Sequence, residues 1–163
     1  MALDQAHHQH EHHAMAGEKA SLTSLAVSAT IHCLTGCAIG EVLGMVIGLA
    51  LSWNNTATVA LSVLLAFLFG YSMTLLPLLA GGMVFRTAMG LALASDTLSI
   101  TVMEIVDNAV VLAIPGAMDA GLTSLLFWGS LGLSLALAFV AALPVNHWLI
   151  RQGCGHALVH GHH

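Results

Sequence analysis

The sequence predicts an all-α, polytopic integral membrane protein, a four-transmembrane-helix bundle with cytoplasmic termini, and three observations carry that expectation. Only 7% of its 163 residues are Asp, Glu, Lys or Arg, against roughly a quarter in soluble domains. That is too little charge to cover a water-facing surface. Apolar residues make up 58% of the chain, with a mean hydropathy of +0.90, and they fall in runs long enough to cross a bilayer, which takes about 20 residues. Polar turns and Pro or Gly pairs divide those runs into four. The length accommodates one membrane domain and no separate globular one.

The first span is expected from Leu22 to Trp53, closed by the polar turn Asn54, Asn55, Thr56. The second runs from Ala57 to Ala80, with Pro77 near its end and Gly81–Gly82 bending the chain beyond it. Residues Met83 to Ala94, which include Arg86, read as an interfacial stretch or as an extension of the next helix. The third span is placed from Asp96 to Ile114, stopped by Pro115–Gly116. The fourth runs from Leu122 to about Leu143 and leads through Pro144, Asn146 and His147 to Trp148 and Arg151, an interfacial anchor with its positive flank. The chain thus divides into a histidine-rich disordered tail (1–20), the transmembrane domain (21–151) and a second histidine-rich tail (152–163).

With four spans, both tails and the connection between spans two and three share one side. Lys19, Arg86 and Arg151 are the only Lys or Arg residues, and all three fall there. The opposite connections carry only Asp119. The positive-inside rule therefore puts both termini in the cytoplasm. Three basic residues cannot form a phosphate-binding surface, so a nucleic-acid partner is excluded. The first 20 residues are polar, and the first apolar run is too long to be only a signal segment.

The first span contains HCLTGCAIGE. Gly36, Gly40, Gly44 and Gly48 repeat every four residues, a small-residue stripe that lets another helix backbone approach closely. A homodimer packed through this stripe is expected to enclose any path across the membrane. Cys33, Cys37 and Glu41 lie along the neighbouring edge at i, i+4 and i+8, with His32 on the flank. Three cysteines make no disulfide framework, and buried Cys is more often a small hydrophobe than a ligand. Glu41 is harder to ascribe to packing, because a carboxyl within a span is costly.

The third span supplies a matching face. TVMEIVDNAVV places Glu104, Asp107 and Asn108 on one side of a helix, about 12 to 18 Å beyond Asp96 and so near the middle of the hydrocarbon layer. Spans one and three run in the same direction, which lets His32, Cys33, Cys37, Glu41, Glu104 and Asp107 converge without an intramembrane Lys or Arg. Such a cluster either stays protonated or holds a cation. Mixed Cys, His and carboxylate donors favour zinc, with copper the other expected metal ion if Met45 or Met103 takes part. The histidines at the two ends, His7 to His13 and His156 to His163, read as solvated, metal-sticky tails.

The HCLTGCAIGE and DTLSITVMEIVDN segments, with the glycine-histidine C-terminus, resemble the bacterial membrane family catalogued as domain of unknown function 4396. The resemblance spans residues 20–160 and implies a small polytopic membrane protein, with no substrate or activity attached. The residues themselves point first to transition-metal binding, and transport, within the membrane. Two alternatives stay open: a structural or assembly subunit of a membrane complex, and a metal-dependent or redox membrane enzyme. No nucleotide-binding loop is present to drive transport.

Overall fold

A computed structural model gives four helices in chain order: α1 (Ala2–Ala50), α2 (Asn55–Ala80), α3 (Phe85–Ala113) and α4 (Leu125–Arg151). It describes the backbone of residues 2–152 and the side chains of residues 22–152; the readings of the histidine-rich ends fall outside those side chains. All four helices contain a stretch long and apolar enough to cross a membrane, in α1 Leu22–Ala50. The chain is a multi-pass membrane protein. Successive spans alternate in direction, so the connections α1–α2 and α3–α4 lie together at one end of the bundle, the loop end. The connection α2–α3 and the end of α4 lie at the other.

The turns use Asn54, Gly82 and Gly116, which the sequence singles out, and Ser124, which it does not. Asn54 caps α2, its side chain accepting a 2.8 Å hydrogen bond from the Ala57 N–H. Ser124 caps α4 in the same way, through the Leu126 N–H at 3.1 Å. Gly82 and Gly116 adopt φ of 84° and 80°, a region that side chains with a Cβ rarely enter.

Span boundaries differ from expectation at the start of α3 and at both ends of α4, which begins at Leu125 rather than Leu122. α3 starts at Phe85 rather than Asp96, so of the two readings of the stretch around Arg86 the helical extension holds. Nothing in that stretch breaks a helix, and α3 becomes 29 residues long, about 43 Å at 1.5 Å per residue. α4 continues through Pro144 to Arg151. Proline removes one backbone donor but is tolerated in membrane helices, where neighbours compensate.

Packing in the bundle inverts the soluble pattern. The residues α2 buries are Ser62, Ala66, Gly70, Thr74 and Leu78, spaced every four residues; those of α4 include Ser130, Ser134, Ala138, Ala142 and Asn146, on the same spacing. Large apolar side chains face outward, among them Leu64, Leu76, Ile105, Leu112 and Val140, each more than 60% exposed. Lipid is as apolar as leucine, so burying leucine between helices gains little; close backbone approach and hydrogen bonds hold the helices instead.

α1 packs most extensively on α2, and α3 on α4; α1 meets α4 and α3 more sparingly. The glycine stripe is taken up within the chain. Gly36 faces Gly70, Gly40 faces Ala66, Gly44 faces Ser62 and Gly48 faces Thr58, an antiparallel register of constant step. A Cβ on Gly36 would lie 2.7 Å from the Gly70 Cα, and one on Gly40 would run into the Ala66 backbone. The homodimer seam expected on this stripe is therefore occupied by α2, and a second copy would have to use another face. The small-residue partner stripe on α2 is what claims it.

Candidate functional site

The second edge of α1, turned from the glycine stripe toward the bundle interior, carries Cys33, Cys37 and Glu41, all buried. α3 faces it with Asp96, Glu104 and Asp107, which are 1%, 5% and 5% exposed. The two edges meet as three steps. At the first, the Cys33 thiol donates to Asp96 Oδ1 at 3.9 Å, and the Ser95 hydroxyl donates to the same oxygen at 2.8 Å. At the second, Cys37 lies beside the Glu104 carboxyl. At the third, the carboxyls of Glu41 and Asp107 face each other, with Glu104 close by.

Asn108 Nδ2 donates to the Glu104 backbone carbonyl at 2.9 Å and reaches its Oε2 at 3.5 Å. No hydrogen-bond donor among the described residues reaches Glu104 Oε1, Asp107 Oδ1 or either carboxyl oxygen of Glu41. Glu41 and Asp107 are neighbours, but two ionised carboxylates are both acceptors, so neither satisfies the other unless a proton or a cation lies between them. An unmet buried acceptor is costly, and four of them sit in one place. Neither Arg86 nor Arg151 lies there; both are exposed, at the end of the bundle opposite the loops.

A cavity opens from this third step. It holds about 60 Å³ for the centres of water molecules, several times the roughly 10–15 Å³ that one water needs. Glu41, Glu104, Asp107 and Asn108 line its inner part; Asn55, Thr58 and Met118 lie toward the loop end. The site is thus nearer one end of the bundle than the sequence suggests. Asp107 lies about 9 Å along α3 from its loop end and Glu41 about 14 Å from that of α1, at 1.5 Å per residue. The earlier start of α3 causes the shift, because the middle of the helix moves back toward Asp96 and Ile100.

Of the six residues singled out in the sequence, Cys37, Glu41, Glu104 and Asp107 form one contiguous group. Cys33 is one turn away and paired with Asp96, and His32 is half-buried on the flank. Among the described residues no three His, Cys, Asp or Glu side chains gather in the arrangement of a metal site. Cys33 and Cys37 are free thiols.

Sequence reasoning missed Asp96, which it used as a span boundary. With the helix extended upstream, Asp96, Glu104 and Asp107 at i, i+8 and i+11 fall within 80° of one another, so the signal was present. It also missed Asn146, placed beyond the fourth span. In the bundle Asn146 is 4% exposed and donates to the Thr30 hydroxyl at 2.8 Å, while Thr30 donates to the Ala26 carbonyl at 2.7 Å. This pair ties α4 to α1.

A sequence model described as Domain of unknown function (DUF4396) matches residues 24–155, and the chain belongs to that family. No curated protein and no solved structure matches it.

Proposed function

We propose that this family member binds a cation within the membrane, exchanges it for protons, and serves in cation transport rather than in catalysis. The supporting observation is the set of four donorless carboxyl oxygens on Glu41, Glu104 and Asp107, buried in a span region without Lys or Arg. Carboxylates in such a place are stable only when protonated or when a positive charge joins them. A bound cation meets that need directly, and its departure is balanced by proton uptake on the same oxygens.

The donor set favours a divalent transition metal, with zinc ahead of copper. Cys37 adds a thiol beside Glu104, and a sulfur donor with carboxylates suits zinc better than magnesium or calcium. Copper keeps support only through Met45, which lines the same cavity as Glu41, whereas Met103 is packed in the apolar core with Ile100. Cys33 and His32 lie off the closest set and would join it only through a rearrangement of α1.

The proposed location is a bacterial inner membrane with both termini in the cytoplasm. Support comes from the placement of Lys19, Arg86 and Arg151 at the terminus side of the spans and of Asp119 at the loop end. A second copy, or a partner subunit, would complete a path across the bilayer by packing on an outward face other than the glycine stripe.

The test is elemental analysis of the full chain purified without an immobilised-metal column, beside a Cys37→Ser/Glu104→Gln double variant of unchanged helicity. Histidine-rich ends are common to both, so they cancel. One equivalent of metal present in the parent and lost in the variant supports the reading. Equal metal content in the two folded proteins sinks it.

A further inference from the structure

The cavity at the carboxyl cluster does not end inside the bundle. A second, wider cavity of about 240 Å³ adjoins it, and Met45, Asn55, Thr58, Met118 and Phe127 line both. Its outer wall adds Trp53, Asp119 and Gly121 from the two loop-end connections. The two cavities therefore form one passage from Glu41 and Asp107 to the loop end.

No residue lining either cavity lies on the terminus side of Glu41 in α1 or of Glu104 in α3. There the interior is filled by Ile100 and Met103, 0% and 1% exposed, packed with Cys33, Cys37 and Ala138. Gly70 admits the Ile100 side chain: a Cβ on it would lie 2.6 Å from Ile100 Cδ1. The plug is close-packed, with Ser99 and Asp96 buried beside it, and the passage is roomy, with a few polar groups set in mostly apolar walls. At the mouth, exposed Asn55 donates to Asp119 Oδ1 at 3.0 Å, strapping the start of α2 to the α3–α4 connection. Asp119 carries the only Asp, Glu, Lys or Arg side chain in those two connections.

We infer that the carboxyls of Glu41, Glu104 and Asp107 are reached from the loop end, with Ile100 and Met103 closing the other side among the described residues, through a vestibule in which Asp119 is the outer cation-collecting group and its bond to Asn55 spans the mouth. The cargo rests on the cation reading proposed above; the vestibule itself rests on the cavities and the plug. A single carboxylate at a narrow mouth with apolar walls raises the local concentration of cations and lowers that of anions. If the termini are cytoplasmic, the site loads from outside the cell membrane, which is the geometry of uptake.

Thiol labelling of the full chain in sealed vesicles, with orientation set by protease access to the termini, tests this. Thr58→Cys and Met118→Cys each place a thiol on the wall shared by the two cavities; Ser99→Cys places one beyond the plug. Membrane-impermeant thiosulfonates are added from one side at a time, one carrying a quaternary ammonium and the other a sulfonate. Modified positions are located by mass spectrometry against the parent, which retains its own cysteines. Both vestibule positions should react from the loop side and neither from the terminus side, with Ser99→Cys silent from both.

Corrected for their rates with a free thiol, the cationic reagent should outpace the anionic one roughly tenfold, and Asp119→Asn should bring the ratio toward one. Labelling from the terminus side, or silence at both vestibule positions, overturns the vestibule. Equal reagent rates unmoved by Asp119→Asn overturn the role of Asp119. Labelling requires no bound ion, so a protein that labels as expected yet binds no metal would refute the proposed cargo and leave the vestibule standing.

Discussion

Two edges of one helix, about 40° to 80° apart around α1, do opposite work. The glycine edge meets Gly70, Ala66, Ser62 and Thr58 of α2 so closely that there is no room for a methyl group at Gly40. The cysteine and glutamate edge meets α3 across the bundle, with carboxyl oxygens that no donor satisfies and a cavity large enough for water. One interface is complete as it stands. The other is stable only with a proton or cation added, and the proposed function rests on that difference.

The largest expected effect is on the complete edge. Gly40→Val forces a side chain into the Ala66 backbone and should destabilise the bundle by about 3 kcal/mol, the upper part of the over-packing range. Thermal unfolding in detergent measures it. Gly132→Ala is the counterpart on an outward face, with nothing within 4 Å of the added Cβ; it should be neutral or stabilising by up to about 1 kcal/mol. Similar losses for the two variants would mean that the α1–α2 register is wrong.

The incomplete edge should respond in the opposite sense. Glu41→Gln replaces an acceptor facing Asp107 with an amide that can donate to it. Stability should rise by about 1 kcal/mol, the net value of one satisfied hydrogen bond. Divalent-cation affinity should fall by about tenfold or more, with each factor of ten equal to about 1.4 kcal/mol. Titration calorimetry with zinc and a melting curve on the same sample measure both. A variant that loses stability while keeping its affinity would place Glu41 among the structural residues.

A smaller effect is expected where a polar contact is complete and carries no charge. Asn146→Leu removes the hydrogen bond to Thr30 between α4 and α1 and should cost about 1 kcal/mol, within the range for such bonds in membranes. Metal content should stay at the parent value. A loss of bound metal with the fold intact would extend the site toward the terminus end and contradict the plug at Ile100 and Met103.

Much of this was legible because lipid imposes simple rules. Scarce charge and long apolar runs suffice for four spans, since only a helix or a closed barrel satisfies its backbone in hydrocarbon. The Cys33, Cys37 and Glu41 ladder and the Glu104, Asp107 and Asn108 face could be read from helical periodicity alone. The start of α3 could not: Asp96 is polar and looked like a boundary, yet inside the bundle it is 1% exposed and accepts from Cys33 and Ser95. Asn146 was misplaced for the same reason, because a polar residue after a proline resembles a helix end until a partner such as Thr30 is found.

By itself, then, the sequence determined the class, the number of spans, the small-residue stripe and the chemistry of the two polar faces, because each depends on composition and on a period within one segment. Tertiary structure decided who uses them. The glycines meet α2 rather than a second copy, Cys33 pairs with Asp96 while Cys37 meets Glu104, and the carboxyl cluster opens toward one end. Those outcomes depend on the register between helices, and register is set by the contacts of distant segments, which no single period along the chain encodes.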